Sequence, residues 1–178
     1  MDKTLHNQFE EVKCSLNTSL NYYGVMWARA RIWLWFSRAI DFLAAAFAGA
    51  AFVADNGTWT RWIAILIATF SWLKTESCSD RRVSMLAKQY RQTNQLLARV
   101  PVRDEDESWA LLGEIQELFS GVEDGDLPTI PCLMAVCENE TRKKYQLRGH
   151  WALSWWQRHV GVYFRCIRCD ESLQLVED

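Results

Sequence analysis

Two apolar runs separated by a short polar break constrain this chain more than any other feature. The first extends from Trp33 to Ala54 with Arg38 and Asp41 as its only charged residues, and the second from Trp59 to Leu73 with Arg61 alone. Asp55-Asn56-Gly57-Thr58 lies between them. At about 1.5 Å per residue the runs make helices of roughly 33 and 22 Å, against a hydrocarbon layer of roughly 30 Å. The spacing predicts a two-helix transmembrane hairpin in which the second span is short. A short span thins the bilayer, snorkels flanking cations such as Arg61 and Lys74, or associates with other helices. Trp33, Trp35, Trp59, Trp62 and Trp72 sit near the run ends, where aromatic belts form. The competing reading is a helical hairpin buried inside a soluble protein.

The residues around the runs set orientation. No compact apolar stretch follows a basic segment before Trp33, so the first span is read as its own anchor rather than a cleaved signal. Arg29, Arg31 and Arg38 near its start, with Lys74, Arg81, Arg82 and Lys88 beyond the second span, outnumber Arg61 by the connecting loop. The positive-inside bias then places both termini in the cytoplasm. In that compartment the six Cys are expected as reduced thiols.

Flanking the hairpin, the chain reads as an all-α protein whose spans continue into a cytoplasmic helical bundle. Residues 1–32 form an amphipathic helix with Leu5, Phe9, Val12, Leu16, Leu20 and Tyr23 along one stripe. Residues 33–73 are the hairpin (33–54 and 59–73), and 74–100 a basic stalk helix with Val83, Leu86, Ala87, Tyr90 and Leu97 recurring before Pro101. Residues 101–178 form a C-terminal helical region. There Trp109, Leu112, Ile115 and Phe119 mark a helix that Gly121 can end, and Pro131 leads into another. Trp151 to Ile167 alternates aromatics with arginines, as a last helix that packs on the bundle or lies at the membrane surface.

Within the hairpin, small residues gather on one face of each span: Ala45, Ala48 and Gly49 on the first, Ala64 and Ala68 on the second. Such faces let helix backbones approach closely in lipid. Arg38 and Asp41 stand at i and i+3 on the small face, with Ser71 and Thr75 on that of the second span. These four are the pore or gating candidates, and the charged pair among them, Arg38 and Asp41, is costly in a membrane. The bland alternative puts Arg38 and Asp41 at headgroup level. Arg81, Arg82, Lys88 and Arg91 are candidates for contact with anionic lipid or a polyanionic ligand, against a simpler solvated, orientation-setting role.

Little points to catalysis. There is no Gly-rich phosphate loop, H-E-x-x-H or G-x-S-x-G, and His6, His150 and His159 are scattered. A net charge of -2 argues against a general nucleic-acid binder. Cys166 and Cys169 form one C-x-x-C, which Cys132, Cys137, His150 or His159 could complete as zinc ligands. The same spacing suits two buried thiols on a helix, and no metal or other cofactor is expected.

The segment RIWLWFSRAIDFLAAAFAGAAFVADNGTWTRWIAILIATFSWLKTESCSDRRVSMLAKQYRQTNQLLARV, with its lead helix, tight hairpin, and the Ala87 to Tyr90 and Leu96-Leu97 spacing, resembles SLATT-like proteins. These are two-transmembrane effectors of bacterial conflict systems, including retrons and cyclic-oligonucleotide antiphage systems. The likeness covers roughly residues 20 to 100. It implies an antiphage effector of the bacterial inner membrane that is held quiet until triggered. The effector then oligomerises or rearranges to depolarise the membrane, causing abortive infection. The implied partners are the bilayer, further copies of the chain, and an inhibitory complex with a reverse transcriptase and its nucleic acid or with a nucleotide-signalling protein. No small-molecule substrate is implied. The other function consistent with the residues is a membrane-anchored helical scaffold or binding subunit without pore activity.

Overall fold

The computed structural model describes residues 3–53, 62, 65, 66, 69, 80–101, 108–123, 129–163 and 173–176, with side chains from 4 to 46 in the first stretch. These residues are mostly helical: α1 (Lys3–Val53), α2 (Asp80–Arg99), α3 (Trp109–Glu123) and α4 (Pro131–Lys144). Strand β1 (His150–Ala152), a one-turn π-helix (Gln157–Gly161) and strand β2 (Gln174–Val176) follow. The chain divides into two compact units. One joins Met1–Gly24 to Lys88–Asp178, and the other is Val25–Ala87.

In the discontinuous unit, α1 buries Leu5, Phe9, Val12, Leu16 and Tyr23, the threes-and-fours stripe that its periodicity predicts. Leu20 is half-buried, and Cys14, Thr18, Ser19 and Tyr22 widen the covered arc. The helix runs on through Gly24 without a break. A Cβ there would lie 3.4 Å from Tyr90 Cε2, so the missing side chain lets the α2 ring approach the α1 backbone.

On α2 the buried stripe is Leu86, Gln89, Thr93, Leu96 and, just past its end, Val100. Two polar side chains sit in that stripe, each donating to a main-chain carbonyl, while Gln89 Oε1 is buried without a hydrogen bond among the described residues. Thr93 Oγ1 donates to the Gln89 carbonyl at 2.9 Å, and Gln89 Nε2 reaches the Val122 carbonyl of α3 at 3.4 Å. Pro101 follows the last turn, as the sequence predicts. α3 begins after Ser108, whose Oγ accepts from the Leu111 amide at 3.3 Å as an N-cap. Its inner face is Leu112, Ile115 and Val122, while Trp109 is exposed. The helix continues to Glu123, two residues past the Gly121 at which the sequence suggests an end.

Pro131 opens α4, where its missing N–H costs nothing. The preceding Ile130 amide donates to Tyr22 Oη at 2.9 Å, so α1 supplies the cap that the local sequence lacks. Asn17 Nδ2 to Tyr145 Oη at 2.9 Å and Asn21 Nδ2 to Thr141 Oγ1 at 3.4 Å continue the seam. At the other end, the Leu147 amide bonds Arg142 O at 2.9 Å and the Gln146 amide bonds Lys143 O at 3.4 Å. This is a Schellman closure with Gln146 at φ 55 in the left-handed region.

Beyond α4 the expectation of one last helix in a wholly helical region is corrected. β1 and β2 pair antiparallel, with His150 opposite Val176, Trp151 opposite Leu175 and Ala152 opposite Gln174. The extended conformation is held because the Asn139 side-chain amide covers the outer edge of β1. Its Nδ2 donates to Trp151 O at 2.9 Å and its Oδ1 accepts from Trp151 N at 2.7 Å. Among the described residues no helix is long and apolar enough to cross a membrane. Most of the second apolar run and the side chains at 47–53 lie outside those residues.

Candidate functional site

The feature that sets this chain apart is in the unit of Val25–Ala87. Up to Met26 the large apolar residues of α1 are buried or, at Leu20 and Val25, half-buried, and beyond it the pattern inverts. Ile32, Trp33, Trp35, Phe36, Phe42 and Leu43 are all at least half exposed, with Phe42 at 75%. Trp62, Ile65 and Leu66 are exposed as well. A helix reads this way when its sequence is apolar around most of its circumference, leaving no polar face to turn to water. Trp35 and Phe36 meet edge to face at 5.4 Å, and Arg31 lies 5.2 Å from the Trp27 ring. Ser37 Oγ is buried without a hydrogen bond among the described residues.

The charged candidates lie on this segment. Arg38 Nη2 reaches Asp80 Oδ1 at 3.3 Å, tying α1 to the start of α2. Asp41 is exposed one turn further on. Both partners of the Arg38–Asp80 pair are about two-thirds exposed or more, so in water it adds little stability. Its strength would grow in a medium of lower dielectric constant. Of the helix-packing candidates Ala45 is exposed, whereas the side chains of Ala48, Gly49, Ala64 and Ala68 lie outside the described residues, as do Ser71 and Thr75. Along α2, Arg81, Lys88 and Arg91 are exposed and Arg82 is half-buried.

The other unit holds a polar groove that the sequence did not reveal. It has a volume of about 590 Å³ between α1 and α4, and its walls include Cys14, Thr18, Glu138, Arg142 and Arg148. Glu138 is committed on both oxygens, to Arg142 Nε at 2.8 Å and to Trp151 Nε1 at 2.7 Å. Arg142 Nη1 donates to Arg148 O at 2.9 Å. Burial pushes the Cys14 thiol above its ordinary pKa of 9.0. Arg142 pulls it down, while Glu138 and Glu10 add to the rise. Thr18 favours the thiolate slightly, although Thr18 Oγ1 makes no hydrogen bond of good geometry. Desolvation thus biases the Cys14 thiol toward its protonated form, the weaker nucleophile. The Glu138 and Arg142 spacing, i to i+4, was the available sequence signal.

Among the described residues no group of three or more His, Cys, Asp or Glu side chains is arranged to hold a metal ion. Cys132 and Cys137 are buried, and Cys166 and Cys169 lie outside the described residues. His150 and His159 are exposed on separate elements. Compared with protein-family models, with curated proteins and with solved structures, the chain shows no match to any of them.

Proposed function

We propose that this chain is a membrane-embedded effector whose hairpin, 33–54 and 59–73, enters the bacterial inner membrane with both termini cytoplasmic. On triggering, the hairpin oligomerises or rearranges to permeabilise the membrane, the activity implied by the resemblance to SLATT-like proteins. The observation that carries the reading is the exposed apolar surface of α1 beyond Met26. Each large apolar side chain removed from water is worth about 1.5–3 kcal/mol. The six on α1 therefore put on the order of 10 kcal/mol behind transfer into lipid. Arg38 at the foot of the span, tied to Asp80, suits a contact that strengthens as water leaves, which a gate or an inner mouth requires.

Controlled expression with a membrane-potential dye and carbonate washing of the membranes tests this. The expected result is retention in the washed membrane fraction and depolarisation once the chain is activated. Retention with a fully polarised membrane under every activating condition would make the chain an anchored scaffold instead. Release by carbonate would remove the hairpin altogether. Replacing Arg38 and Asp41 together by Ala should alter conductance or toxicity at normal expression, and unchanged behaviour would end their gating role.

A further inference from the structure

Between Thr141 and Cys169 the chain carries seven Lys and Arg and no Asp or Glu, although the whole protein has a net charge of -2. The same stretch contains Trp151, Trp155, Trp156 and Tyr163. The structure shows how part of it is displayed. Trp155, Trp156 and Tyr163 are each about 60% exposed or more. They project from a short helical turn whose other side, Gln157, Gly161 and Val162, is buried. That turn is fixed at its start by a reciprocal cap. Ser154 N donates to Gln157 Oε1 at 2.8 Å, and Gln157 N donates to Ser154 Oγ at 3.3 Å. The backbone then widens into a π turn, a rare conformation that often marks functional positions. Arg158 is exposed on it and forms no ion pair among the described residues.

We propose that this aromatic and basic turn is a docking surface for an anionic lipid bilayer. Exposed indoles and the exposed Arg158 on one turn match the two layers of such a surface. Indole rings settle at the depth of the headgroups, and each Lys or Arg near an anionic leaflet adds about 1 kcal/mol. The alternative polyanion is single-stranded nucleic acid, which binds by stacking bases on open aromatic faces. One face of Trp155 is already covered by His159, with ring centres 4.8 Å apart and planes 20° from parallel. His159 Nδ1 is held there by the Trp155 carbonyl at 2.9 Å, which it meets as the donor. The lipid surface is therefore favoured. The inference does not depend on the hairpin, because every residue named belongs to the unit that holds the C-terminal half of the chain.

The test uses the full chain labelled with 5-fluorotryptophan, its Trp155 and Trp156 signals assigned in 19F NMR by Trp155→Phe and Trp156→Phe. The chain is presented to phosphatidylcholine bilayers with and without phosphatidylglycerol, and a water-soluble paramagnetic quencher reports exposure. Both signals should become shielded only where phosphatidylglycerol is present. Arg158→Gln should weaken that shielding about fivefold, the equivalent of one charge of about 1 kcal/mol. Equal quenching in both bilayers would overturn the proposal, as would shielding by a single-stranded oligonucleotide but not by lipid. Continued quenching in a chain that resists carbonate washing would remove this surface and leave the hairpin standing.

Discussion

Among the described residues, Gln146 is the one non-glycine with a positive φ. It holds φ 55 to close α4, where a side chain costs about 1–2 kcal/mol and glycine costs little. Gln146→Gly should therefore raise stability by about 1 kcal/mol, part of the relief being returned to the more flexible unfolded chain. Chemical denaturation checks this, and a loss would mean that the Gln146 side chain does something beyond closing the turn. Cys14 makes a prediction about pH. Its folded pKa is raised above 9.0, chiefly by burial. The stability it lends is complete below the unfolded value and is lost as pH climbs through the folded one. Between about pH 8 and 10 the wild type should lose more stability than Cys14→Ala, whatever offset the lost sulfur causes at both. The signals for these two residues differ. Gln146 was invisible because only glycine advertises a left-handed position, whereas Cys14 was simply one more residue near an apolar stripe.

At the scale of elements, α1 to α4 were legible because helical periodicity and the prolines at 101 and 131 act over short distances. The buried Gln89 and Thr93 were not, since hydropathy ignores the carbonyls that partner them. Nor was β1, three residues long and without alternation, whose conformation depends on Asn139 twelve positions earlier. Asn139→Ala removes both bonds to the strand backbone and leaves Trp151 N and O to find water. We expect a loss of about 1–3 kcal/mol and faster amide exchange at His150 to Ala152, with α4 unaffected. Exchange that stays slow would show that pairing with β2 alone holds the strand.

For the whole molecule, the contrast along α1 is what matters: one continuous helix buries its apolar residues before Met26 and displays them after it. Phe42→Lys combined with Leu43→Lys replaces two exposed apolar side chains. It should therefore change the stability of the described fold by less than about 0.5 kcal/mol. Insertion should suffer far more, each Lys near a span centre costing about 2.5–3.5 kcal/mol on translocon scales. A carbonate-wash comparison with wild type reads the difference, and equal membrane retention would place these residues outside the bilayer. The apolar runs themselves were plain in the sequence. The joining of Met1–Gly24 to Lys88–Asp178 was not, because it rests on contacts such as Tyr22 with Ile130, which no linear pattern records.

That pairing also sets a schedule for synthesis. Tyr22 must wait for a partner 108 residues downstream, which at about 5–20 residues per second is a delay of roughly 5 to 20 s on the ribosome. Asn17 and Asn21 of α1 wait longer still, for Tyr145 and Thr141 of the same downstream region. The first helix to be made is thus among the last to be secured, and a nascent chain stalled before Ile130 presents its apolar stripe to any chaperone within reach.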